Sequence, residues 1–97
     1  KTLKEPVYGI WGMQKNKLPE LFIKSFESIF EKIITLTIPN EPHAIKAKKL
    51  KSIAQKYMHA DTALNVPDAL KKLSSNEKKT IVIFGSLYLV GNVLSKN

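Results

Sequence analysis

Residues 80–94, Thr-Ile-Val-Ile-Phe-Gly-Ser-Leu-Tyr-Leu-Val-Gly-Asn-Val-Leu, constrain the fold more than any other stretch of this 97-residue chain. From Thr80 to Phe84 the residues are β-branched or aromatic and nothing alternates with a polar side chain. Such a run predicts a central strand of a parallel sheet, buried on both faces. Gly85 ends it and Ser86 is a good N-cap for a helix. In that helix Leu87, Val90 and Leu94 share one face while Leu89 and Val93 fill a second. The carboxyl end of a parallel strand, where a helix N-terminus opens, is where open α/β sheets hold ligands, so Ser86 is a candidate contact. The segment is broken by Gly85, Ser86, Gly91 and Asn92 and falls short of the roughly twenty apolar residues a membrane span needs. No membrane partner is expected.

The rest of the chain alternates in the same way. Residues 7–12, Val-Tyr-Gly-Ile-Trp-Gly, predict a strand that stops at Gly12, and Met13-Gln14-Lys15-Asn16-Lys17 a polar loop. Leu18-Pro19-Glu20 opens a helix with proline in its first turn, where a missing N–H costs nothing. Phe22, Phe26, Ile29, Phe30 and Ile33 form one apolar stripe along it. Residues 33–38 then read as a strand ended by Pro39. A helix over residues 44–58 turns Ala47, Leu50, Ile53, Ala54 and Tyr57 inward and Lys46, Lys48, Lys49, Lys51 and Lys56 mostly outward. A basic amphipathic helix in isolation could bind a membrane surface or an acidic partner; between two strands it reads as a crossover helix with a wet face. Residues 59–64 suit a short edge strand or an extended loop, and Asn65 caps a helix over residues 66–73 with Asp68 at its positive end. The order β-α-β-α-(β)-α-β-α predicts one α/β domain, a three-layer structure with a mostly parallel sheet and helices on both faces.

Composition sets limits on partners. The net charge is +8, yet all sixteen basic residues are lysine. Arginine carries most bidentate base reading and stacking, so a solvated lysine surface is the default and no nucleic-acid partner is expected. The absence of cysteine removes disulfides, thiolate metal sites and a cysteine nucleophile, and fits a cytoplasmic location. The start, Lys-Thr-Leu-Lys-Glu-Pro, has no apolar signal-like core and no initiator Met, which points to a piece of a longer chain.

No complete catalytic constellation can be assembled from these residues. The sequence has no phosphate-cradling G-x-x-x-x-G-K-S/T loop, no G-x-G-x-x-G fingerprint and no G-x-S-x-G elbow. His43 and His59 belong to no metal-ligand cluster, and His59 with Asp61 is either a local acid-base pair or a surface hydrogen bond. The loop of residues 12–17 should share the ligand edge of the sheet with Gly85 and Ser86. Lys15 and Lys17 could meet phosphate or carboxylate there; alternatively Asn16 or a neighbour merely caps the next helix.

Three segments carry a resemblance. Ile81-Val82-Ile83-Phe84-Gly85-Ser86-Leu87-Tyr88-Leu89-Val90 resembles the closing strand-helix of folylpolyglutamate and dihydrofolate synthases, members of the Mur ligase superfamily. Ile10-Trp11-Gly12-Met13-Gln14-Lys15-Asn16-Lys17-Leu18 is similar to the family's strand, Gly-Met and Asp-Lys-Asp turn: Gly12, Met13 and Lys17 match, while Asn16 and Leu18 stand where aspartates are usual. Pro39-Asn40-Glu41-Pro42-His43-Ala44 is similar to the loop with Pro-Arg-Ala, His43 replacing the arginine with a weaker, pH-dependent charge.

The resemblance implies a Rossmann-like Mur ligase C-terminal domain, lacking its first helix. Family members join glutamate to dihydropteroate or to a folate's glutamate tail, using ATP and Mg²⁺ bound by a large N-terminal domain. It therefore implies a C-terminal fragment that binds no cofactor alone, has no catalytic or metal-binding residue of its own, and is inactive without that partner domain. Gly12, Met13, Lys15, Asn16, Lys17, His43 and Ser86 are the implied substrate- or nucleotide-facing residues. An apolar face bared by the missing helix would favour self-association. The rival expectation is a stand-alone basic binding module for an acidic partner or nucleic acid.

Overall fold

The computed structural model describes residues 6–15 and 18–84. The elements are β1 (Val7–Trp11), α1 (Pro19–Lys24), β2 (Lys32–Thr35), α2 (Ala47–Ala54), β3 (His59–Thr62), α3 (Val66–Leu73) and β4 (Thr80–Phe84). All four strands are parallel, in the order β3-β2-β1-β4. Strand alternation sends Ile10 and Ile34 to one face, where they pack with Val66, Ala69 and Leu73 of α3. Trp11 and Ile33 go to the other, against Ile23 of α1 and Leu50 and Ala54 of α2. Helices thus cover both faces, as the alternation of elements predicts.

Register sets where the strands stop. Trp11 pairs with Thr35 and with Phe84, and the Leu36 N–H donates to the Trp11 carbonyl at 3.0 Å. Beyond that β1 offers no further ladder, so residues 36–38 leave the strand that their sequence predicts while Leu36 and Ile38 stay buried. The apolar stripe of the first helix is likewise cut short. After Lys24 the backbone tightens to i→i+3 bonds and the Ser25 hydroxyl donates to the Phe22 carbonyl at 2.6 Å, so Ile29 is left 52% exposed. Similar turns carry α2 on to Met58. Asn65 caps α3 by accepting from the Asp68 N–H at 2.8 Å, and Asp68 in turn accepts from the Leu64 N–H at 2.9 Å.

One expectation is corrected. Among the described residues β4 is an edge strand paired only with β1, and its side chains are half-buried, Val82 being 38% exposed. An unbroken apolar run shows that both faces meet apolar groups; it does not count the neighbours on either side. The helix expected after Ser86 lies outside the described residues.

The two halves of the chain are joined by an aromatic cluster. The Phe84 ring lies 5.3 Å from Phe30, 5.5 Å from Phe26, 5.7 Å from Phe22 and 6.4 Å from Trp11. It sits directly over Gly9, where a Cβ would come 2.8 Å from Phe84 Cε1 and 3.2 Å from both Phe30 Cε1 and Ile33 Cγ1. Outside the cluster, Glu20 of α1 accepts from Tyr57 Oη at 2.8 Å and pairs with Lys56 Nζ at 3.2 Å, tying α1 to the end of α2. Gly9→Ala should cost roughly 1–3 kcal/mol, because three packed side chains must move for one methyl. Urea denaturation of the variant checks this, with the slope expected unchanged.

Candidate functional site

The carboxyl ends of β1 and β2 are laced together by their following loops. The Ile45 N–H donates to the Met13 carbonyl at 2.9 Å, the Lys15 N–H donates to the His43 carbonyl at 2.8 Å, and Gln14 bridges Ala44 in antiparallel sense. Two of the three segments that the sequence singles out therefore meet. The end of β4 joins them through a longer bond, Gly12 N–H to the Phe84 carbonyl at 3.4 Å. Gly12 is buried beneath this junction, and Met13 is 4% exposed with its side chain in the Trp11 cluster. Lys15 and His43 are exposed, and the His43 N–H donates to Glu41 Oε2 at 3.0 Å. Asn16, Lys17 and Ser86 lie outside the described residues.

His59 is not part of this edge. It begins β3, at the amino ends of the parallel strands, and no hydrogen bond joins it to Asp61. Asp61 instead accepts from the Thr62 N–H at 2.8 Å and faces Lys32 Nζ at 3.9 Å. Its carboxyl is held below the ordinary value of 3.8, chiefly by the Thr62 N–H and then by Lys32, Lys51 and Lys72. Neither reading of His59 with Asp61, the local acid-base pair or the surface hydrogen bond, has its geometry here. Among the described residues no three histidine or acidic side chains gather to hold a metal ion.

Beyond the lace, the carboxyl ends of β2 and β3 border an open groove of about 490 Å³ lined by Thr37, Lys46, Lys48, Lys51, Thr62 and Lys72, floored by Ala63 and Leu64. Its wall is the start of α2, and the manner in which α2 starts is unusual. Lys46 gives no side-chain cap; the Ala47 N–H donates instead to Thr37 Oγ1 at 2.8 Å, across ten residues. Thr35, the polar residue buried in the described core, donates its hydroxyl to the Ala47 carbonyl at 2.7 Å. Two threonines of the segment leaving β2 thus grip both polar groups of Ala47. The sequence places Lys46, Lys48 and Lys51 on a solvated outer face; the signal it does hold is that Lys46 and Lys48 open a helix that follows a strand.

The groove and lace belong to a fold with known relatives. The model of a family described as dihydrofolate synthetase, C-terminal domain, matches residues 37–96. Among solved structures, E. coli FolC in complex with DHPP and ADP superposes with a TM-score of 0.83 at 16% identity, over 98% of this chain and 22% of that one. Mycobacterium tuberculosis folylpolyglutamate synthase complexed with ADP and AMPPCP gives 0.81 at 18% identity, over 94% of this chain and 23% of that one. The Thermotoga maritima folylpolyglutamate synthase gives 0.71 at 29% identity, over 94% and 21%. The chain therefore spans less than a quarter of the length of these relatives. No curated protein sequence matches it. Among the described residues no helix is long and apolar enough to cross a membrane.

Two outcomes test how this edge is built. Thr37→Val leaves the Ala47 N–H without its acceptor and should cost about 1–2 kcal/mol, read by chemical denaturation. Because the Asp61 carboxyl is lowered by folding, its contribution is present above its ordinary value and is lost as pH falls through the lower folded value. Asp61→Asn should accordingly flatten the drop in melting temperature below pH 4 and leave the neutral-to-alkaline limb in place.

Proposed function

The chain belongs to the dihydrofolate synthetase C-terminal domain family, and on that premise we propose that it serves as the C-terminal domain of a cytoplasmic, ATP-dependent ligase adding glutamate to dihydropteroate or folate. In this reading ATP and Mg²⁺ are held by a separate N-terminal domain, and the 97 residues alone are inert. The observation that carries it is the family match over residues 37–96 on an all-parallel α/β fold. The sequence itself contains no phosphate-cradling loop, which supports assigning nucleotide chemistry elsewhere. Lys15, His43 and the loops that carry them face the pocket closed between the two domains, where Lys15 supplies a fixed positive charge to a carboxylate. Gly12 and Met13 act from below by fixing the backbone of that loop. Leu18 and Leu21, 71% and 67% exposed at the start of α1, supply apolar surface for the second domain to cover.

Ligation assays test this directly. The 97-residue chain with ATP, Mg²⁺, glutamate and dihydropteroate should release no ADP above the blank; turnover by the chain alone overturns its inertness. Placed behind the ATP-binding part of the T. maritima relative, in exchange for that enzyme's own C-terminal domain, it should restore glutamate-dependent ADP release. A soluble, folded chimaera with no such activity overturns the assignment to a glutamate ligase.

A further inference from the structure

Among the described residues β3 pairs only with β2 and so forms one edge of the sheet. Parallel register decides which of its backbone groups are left over. Thr35 stands opposite Thr62, and the Thr35 carbonyl takes the Ala63 N–H at 2.9 Å. Alternation along the ladder therefore turns the N–H and C=O of Ala60 and Thr62 away from β2, onto the outer edge. Both groups of Thr62 are occupied by side chains. Asp61 Oδ1 accepts its N–H at 2.8 Å, and Lys72 Nζ of α3 donates to its carbonyl at 2.8 Å. Each of these side chains is steadied in turn, Asp61 by Lys32 Nζ at 3.9 Å and Lys72 by Asp68 at 3.8 Å.

We infer that the β3 edge is a latent pairing surface for a second copy of this chain, and that Asp61 and Lys72 hold it shut. Two β3 strands brought edge to edge about a two-fold axis run antiparallel. With Asp61 opposite its own copy, Ala60 of each strand faces Thr62 of the other, and these are the residues whose polar groups point outward. Every bond of such a ladder needs a Thr62 N–H or carbonyl at one end, so capping that one residue leaves none to form. The same register sets two Asp61 carboxylates directly across from each other, which adds repulsion. A carboxylate at the centre of the edge guards against a copy above all, because only a copy is bound to bring a second carboxylate to the same point. An edge four residues long needs no proline to stay unpaired when its outward groups are filled in this way.

Sedimentation equilibrium of the 97-residue chain over a concentration series tests the inference. Asp61→Ala with Lys72→Ala leaves the net charge unchanged and should strengthen dimerisation about tenfold or more, since each backbone bond released contributes to it. Lys71→Ala with Glu77→Ala, equally neutral in charge, keeps both caps and should leave association as it is. Adding Ala60→Pro to the first pair removes an outward N–H without touching a bond to β2, and should reverse most of the gain. Lys72→Ala alone, a milder change should the pair not fold, should move association in the same direction by less. In the unaltered chain the Thr62 amide should exchange its hydrogen about tenfold more slowly than the Ala60 amide. Unchanged association in both the paired and the single variant, a gain that survives Ala60→Pro, or open-ended aggregates in place of a dimer would each overturn the inference. Equal exchange at Ala60 and Thr62 would overturn the capping on which it rests.

Discussion

The contact of Phe84 with Gly9 is the constraint on which the other packing depends. A parallel strand arriving from the far end of the chain must lay a large ring onto β1 while the α1 side of the sheet is already crowded by Phe22, Phe26 and Phe30. Only the missing side chain at Gly9 leaves room for it. Without that room β4 could not keep its register from Val7↔Thr80 to Trp11↔Phe84, and the carboxyl edge of the sheet would lose its third strand end. The segment that first draws attention in the sequence is thus anchored by a residue near the opposite terminus.

From that edge the chemistry of the molecule follows in order. Parallel strands that stop together at Trp11, Thr35 and Thr62 release three loops on one side. Backbone bonds fasten two of those loops to each other, and threonine hydroxyls fasten the start of α2 to the segment leaving β2. The lysines of the α2 start are consequently presented at fixed points of a wall rather than on a freely solvated helix. Charge that looks like a general solubility device in composition becomes local once the fold assigns it a place.

Most of the element order was legible because periodicity and end signals agree. Asn65 with Asp68 marks α3 by capping chemistry, Pro19 marks the first turn of α1, and unalternating runs mark strands buried on two faces. Boundaries were less legible where tertiary pairing decides them: Ile29 continues a helical stripe yet is exposed, and residues 36–38 look like strand but have no partner left. The position of β4 in the sheet was illegible for a related reason, since burial of faces carries no record of lateral neighbours. The meeting of residues 13–15 with residues 43–45 rests on backbone bonds between distant loops, which side-chain identity does not encode. The Thr37 cap was hidden likewise, because its partner stands ten residues away instead of two or three.

The lace between the first two loops also bears on how such a domain can diverge. Since Met13 and Lys15 are bonded to Ile45 and His43 one for one, an insertion in either loop would break the pairing unless the other lengthened in step. Ligand preference at this corner is therefore free to change through exchanged side chains at positions such as 15 and 43, while loop length, the commonest source of novelty on α/β scaffolds, is held nearly constant.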